Sequence, residues 1–156
     1  MTLKLLTVIA ACACAPLYAQ GVQVRDAWAP PGQHATGVFM TLSAKGDVKL
    51  VAVATPVAGV AEVHQMKMVG DIMQMRTVPG GLHLPAGQAV VLKPGGSHVM
   101  LMDLKAPLLK GGSIALTLFF KDAKGVQSQL ELKVPVAARP QASDAQDDAG
   151  HAGHKP

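Results

Sequence analysis

The segments IALTLFF, residues 114–120, and VQSQLELKV, residues 126–134, alternate apolar and polar residues. Successive side chains of a β-strand point to opposite faces. Ile114, Leu116, Leu118 and Phe120 therefore share one face, and Val126, Leu130, Leu132 and Val134 share another. Thr117, Gln127, Gln129, Glu131 and Lys133 turn the other way. With a loop of five residues between the runs, the pattern predicts an antiparallel hairpin with one apolar and one solvated face.

The rest of the chain upstream is punctuated in the same rhythm. Turn signals occur at Pro30-Pro31-Gly32, Lys45-Gly46-Asp47, Thr55-Pro56, Gly70-Asp71, Pro79-Gly80-Gly81, Pro94-Gly95-Gly96, Gly111-Gly112 and Gly125. Breakers this frequent leave no room for long helices. Between them lie short β-rich runs: Val22 to Trp28, Val38 to Leu42, Val48 to Val53, Ala61 to Met66, Ala89 to Leu92 and His98 to Met102. Strands at such spacing predict an all-β fold, an antiparallel β-sandwich or barrel. The domain is expected over residues 20–137. From 138 to 156 the chain turns to Pro, Ala, Ser, Gln, Asp, Gly and His, a composition that buries no core and is expected to be a disordered tail.

Residues 1–19 carry an early positive charge at Lys4, an apolar run from Leu5 to Ala11 and small residues leading to Ala19. That order is expected of a cleaved export signal, with cleavage after Ala19. Both cysteines, Cys12 and Cys14, precede that point, so the mature chain would hold no thiol and no disulfide. A second reading takes Ile9-Ala10-Ala11-Cys12 as a lipoprotein cleavage box, which would place a lipid, and hence a membrane attachment, on Cys12. Either way the expected destination is the periplasm.

Composition narrows the function. Hydrophobic residues make up 49% and charged residues 15% of 156 residues, and the net charge of +4 comes from scattered lysines. No basic run is interleaved with aromatics, and one Trp, one Tyr and three Phe supply little for base stacking, so nucleic acid is not an expected partner. Enzymatic parts are missing as well: Ser97-His98 with Asp103 lacks a nucleophile elbow, and neither a phosphate-binding loop nor a dinucleotide fingerprint occurs.

The chemistry concentrates elsewhere. Six of the eight methionines, Met66, Met68, Met73, Met75, Met100 and Met102, fall between residues 66 and 102, bracketed by His64 and His98. On strands, residues two apart share a face, so His98 and Met100 present an imidazole beside a thioether, and His64 and Met66 do likewise. Met73 and Met75 follow the Val69-Gly70-Asp71 turn, close enough in sequence to fold back on His64, and three strands are expected to converge on one ion. Met68, Met73 and Met102 are expected to serve packing instead, since methionine fills gaps in cores. Neutral soft sulfur with borderline imidazole suits Cu(I) and ill suits Mg, Ca or Mn, whereas zinc favours thiolate, carboxylate or more imidazole.

The stretches Glu62-Val63-His64-Gln65-Met66, Met73-Gln74-Met75-Arg76, Leu84-Pro85-Ala86-Gly87 and Leu92 through Met102 resemble the PCu(A)C family of periplasmic copper chaperones. The likeness covers nearly all of residues 22–136. The family's pattern is a His, ten residues, a Met, about 21 residues, then His-x-Met. His64, Met75, His98 and Met100 match it, with a last gap of 22 residues that the Pro79-Gly80-Gly81 turn can absorb. The resemblance implies a cupredoxin-like β-sandwich and a Cu(I) site near the surface. It also implies delivery of copper toward cytochrome c oxidase, to its copper-site subunit or a Sco-type copper chaperone.

In the tail, His151 and His154 stand among Asp144, Asp147 and Asp148, a donor set suited to Cu(II) as a second site, or else simply a solvated acidic terminus. His34 and His83, without a methionine two residues away, are expected to be ordinary surface histidines. Rival functions are copper sequestration at the same site and electron transfer, although a blue copper centre needs a cysteine that the mature chain lacks.

Overall fold

Frequent turns and alternating runs give ten strands and no helix across residues 21–138, which the computed structural model describes. They are β1 (Val22–Trp28), β2 (Ala35–Ala44), β3 (Val48–Ala54), β4 (Ala58–Val69), β5 (Ile72–Thr77), β6 (Leu82–Leu84), β7 (Ala89–Leu92), β8 (His98–Leu104), β9 (Ser113–Asp122) and β10 (Gln127–Pro135). One sheet runs β1-β2-β8-β4-β5; the other runs β10-β9-β3-β6. All named pairings are antiparallel. Along one edge, β2 pairs with β8 through Ala35–Val38 and with β7 through Met40–Ser43, leaving its other edge to β1.

The core lies where the two sheets face each other. From the second sheet come Leu50, Ile114, Leu116, Leu118, Phe120 and Val134; from the first come Val38, Met40, Leu42, Leu92, Val99 and Leu101, all buried. Burying a Val, Leu, Ile or Phe side chain stabilises by about 1.5–3 kcal/mol, so period-2 alternation fixes which face of every strand turns inward. A slip of one residue would expose the whole set.

The expected hairpin forms, with Leu130 opposite Leu118, Leu132 opposite Leu116 and Val134 opposite Ile114. Val126 departs from the expectation. It lies before β10 in the turn, 48% exposed, because the Asp122 carboxylate accepts hydrogen bonds from the backbone N–H groups of Lys124 and Val126 and closes the loop around Gly125. Strand β6, only three residues long and bounded by Gly81 and Pro85, was too short to show a period.

Two local features shape the outer face of the first sheet. In β1 the register shifts between Arg25 and Trp28, and Asp26 takes a φ of 53°. A bulge of this kind turns a side chain to a new direction; here it places Trp28 opposite Phe39, with ring centroids 4.9 Å apart. On β2, a Cβ at Gly37 would lie 2.8 Å from the Phe39 ring. Only glycine leaves the space that ring occupies over the strand. Residues 1–19 and the tail histidines His151 and His154 lie outside the described residues.

Candidate metal centre

The inward residues of β2, β4 and β8, namely Val38, Val63, Val99 and Leu101, are set by the core. Alternation then forces their neighbours outward. In the β4–β8 ladder His64 stands directly opposite His98 and Glu62 opposite Met100. In the β4–β5 ladder Met66 stands opposite Met75 and His64 opposite Thr77. Directly paired residues share a face, so His64, Met75, His98 and Met100 all lie on the outer face of one sheet, on three adjacent strands. Met75 and Met100 are each diagonal to His64, a displacement that long side chains span.

The two histidines are buried, at 9% and 6% exposure, although they sit on the face away from the core. Their rings meet at 66° with centroids 6.0 Å apart. Two imidazoles that share a metal at about 2 Å from each nitrogen bring their centroids to roughly this separation. On the far side, Phe39 approaches the His98 ring at 6.1 Å, with Trp28 behind it.

Hydrogen bonds fix which nitrogen of each ring is free. His98 Nδ1 lies 3.1 Å from the Gly96 carbonyl; a carbonyl only accepts, so Nδ1 carries the proton and Nε2 keeps its lone pair. In His64 the arrangement is reversed. Nε2 donates to the Glu62 carboxylate at 3.0 Å, leaving Nδ1 as the acceptor nitrogen. That Nδ1 is buried, and it has no hydrogen-bond partner among the described residues. An orphaned buried acceptor is uncommon and costs about 1–3 kcal/mol. Holding one ring nitrogen with a carboxylate or carbonyl so that the other faces a metal is the usual outer arrangement of metal-binding histidines.

The donor set is chemically narrow. Among the described residues no group of three or more His, Cys, Asp and Glu is placed to hold a metal ion, and the thioethers of Met75 and Met100 are soft donors on the same face as the histidines. Two neutral nitrogens and two neutral sulfurs fit a soft monovalent ion.

The four residues singled out in the sequence are thus brought to one face. Sequence reasoning missed Glu62, whose signal was its position two residues before His64 on the same strand face, and Gly96, whose carbonyl acts through a turn that no pattern specifies. It also misjudged two methionines. Met68 and Met73 are not packed: they are 56% and 48% exposed. Met102 is half-buried, and His34 and His83 are exposed as expected, with His83 3.6 Å from Asp47.

A family described as "Putative lipoprotein LpqE-like" matches residues 22–136. The chain belongs to the LpqE-like family. Among its curated relatives is "Putative lipoprotein Lxx21020" of Leifsonia xyli subsp. xyli, 39% identical over 112 residues. The match takes in 67% of this chain, which spans 64% of that relative's length. Solved PCuAC domains share the fold, as the sequence resemblance implied: the apo PCuAC domain from PmoF1 at a TM-score of 0.61 and 24% identity, covering 77% of this chain and 96% of that one. The Cu(I) form of DR1885 from Deinococcus radiodurans is similar at a TM-score of 0.53 and 33% identity, over 82% of this chain and 83% of that one. This LpqE-like chain therefore has a cupredoxin-like, PCuAC-type β-sandwich, and its family is PCuAC-related.

Proposed function

We propose that this LpqE-like protein is an exported copper chaperone that binds Cu(I) through His64, Met75, His98 and Met100 and passes it to a protein on the route to cytochrome c oxidase. The observation that carries the reading is the buried Nδ1 of His64, which has no hydrogen-bond partner among the described residues, on a ring 6.0 Å from that of His98, its direct cross-strand partner. The likeness to the Cu(I) form of DR1885 supports the choice of ion. A neutral four-donor site holds a monovalent cation without thiolate, and Met75, at 49% exposure, leaves the ion open to exchange with an incoming ligand.

Export fits a site without thiolate, since none of its four donors can be lost to disulfide formation outside the cytoplasm. The lipoprotein descriptions of the family and of the Leifsonia xyli relative favour attachment through Cys12 over a freely diffusing form. Cys12→Ser would release a lipid-anchored protein from the membrane fraction and leave a freely exported one where it was.

The binding test is titration of the thiol-free mature chain, residues 20–156, with Cu(I) under reducing conditions against a chromophoric Cu(I) chelator. Tight binding by the native chain and its loss in Met75→Leu/Met100→Leu is the expected result. Retention of tight binding by the double variant would overturn the ligand set. Delivery is tested by deletion in a copper-poor medium, where lowered oxidase activity is expected; normal respiration with heightened copper sensitivity would assign the protein to sequestration.

A further inference from the structure

The inner and outer faces of β4 exchange character halfway along. At the start of the strand the inner face is apolar, with Ala61 and Val63 packed on the core, but it continues as exposed Gln65 and Lys67. On β5, Gln74 and Arg76 face Lys67 and Gln65 across the ladder and hydrogen-bond to each other. The outer face of this distal hairpin carries Met66, Met68, Met73 and Met75, with Met66 opposite Met75 and Met68 opposite Met73. Strand β5 is the sheet edge and pairs only with β4 among the named strands, and on this face Met68, Met73 and Met75 are about half exposed, with no layer of the described residues packed over them. Packing does not account for methionines placed this way, because the core lies on the other side.

We infer that Met66, Met68 and Met73 form a second Cu(I) site, made of thioethers alone, that adjoins the histidine site and loads it. The inference rests on the Cu(I) reading of His64, Met75, His98 and Met100. Directly paired strand residues have Cβ atoms about 4.5–5.5 Å apart, and methionine's three side-chain torsions let three sulfurs close on one ion from such positions. Neutral sulfur selects a soft monovalent ion. Met66 is shared by geometry: it is the direct partner of Met75 and two residues from His64. Copper held by the thioether group can therefore gain Met75 and then His64 as it releases Met68 and Met73, a Cu–S and then a Cu–N bond forming as two Cu–S bonds break, with no change of oxidation state. The imidazole nitrogens make the histidine site the tighter one, which gives the transfer its direction.

Methyl-labelled methionine in the thiol-free mature chain, residues 20–156, titrated with Cu(I) under reducing conditions and followed by NMR, tests this. The first equivalent is expected to shift the Met75 and Met100 methyls, and the second those of Met66, Met68 and Met73. The variant Met68→Leu/Met73→Leu keeps the apolar area of the exposed face while removing its sulfur, and is expected to lose the second event while retaining the first. Histidines of the tail carry no such methyl and do not imitate the signal. Saturation with the Met68 and Met73 methyls unmoved would overturn the second site. Shifts at Met66, Met68 and Met73 with none at Met75 and Met100 would uphold the thioether site while sinking the histidine site, so the two failures are distinguishable.

Discussion

Two antiparallel hairpins in this molecule share a sequence period and have opposite fates. In β9–β10 the alternating apolar residues Ile114, Leu116, Leu118, Phe120 and Val134 are all at or near zero exposure. In β4–β5 the alternating methionines Met68, Met73 and Met75 are about half exposed. The first hairpin lies over the opposing sheet, while the second extends its sheet to an edge and carries its sulfur on the side away from the core. Alternation shows that a strand has two different faces. It does not show which one the protein covers.

Breaking the buried hairpin should have the largest effect. Leu118→Ala leaves a cavity in the core and is expected to lower stability by about 2–5 kcal/mol, a large share of the roughly 5–15 kcal/mol available to a domain; chemical denaturation measures it. A change on the outer face of the other sheet, in β5 and β8, should separate stability from function. Met75→Leu combined with Met100→Leu is nearly volume-conserving and is expected to change stability by less than about 1.5 kcal/mol, while tight Cu(I) binding disappears.

A smaller effect is expected on acidification. A protonated imidazole has no lone pair, so protons compete with Cu(I) for His64 and His98 and affinity is expected to fall on acidification. A profile unchanged from about pH 8 to 5 would leave the metal to methionine alone. The mildest expected change is Glu62→Gln, which weakens the group holding His64 Nε2 and should lower Cu(I) affinity by roughly 10–100-fold with no loss of thermal stability. If affinity were unchanged, Glu62 would be a surface carboxylate and nothing more.

Much of the site was legible because its chemistry is tied to short spacings. His98-x-Met100 places two donors on one strand face whatever the fold around them, and the Gly70-Asp71 turn brings Met75 back across from Met66. Packing of Met68 and Met73 was misread because methionine is apolar on average and a strand's period carries no sign. Val126 was misread for a related reason: its place in the alternation suggested β10, but the Asp122 carboxylate captures its N–H for the turn.

The sequence by itself determined an all-β chain, the strand faces, the candidate donors and the softness of the ion they fit, since side-chain period and ligand chemistry are local properties. Tertiary structure decided which face is core and that His64 and His98 stand opposite each other. It also decided that Glu62 and Gly96 hold one nitrogen of each ring and leave the other free. Those outcomes depend on register between strands 34 residues apart in the chain at the His64–His98 pair, and register is set by burial of the whole core rather than by any segment of it.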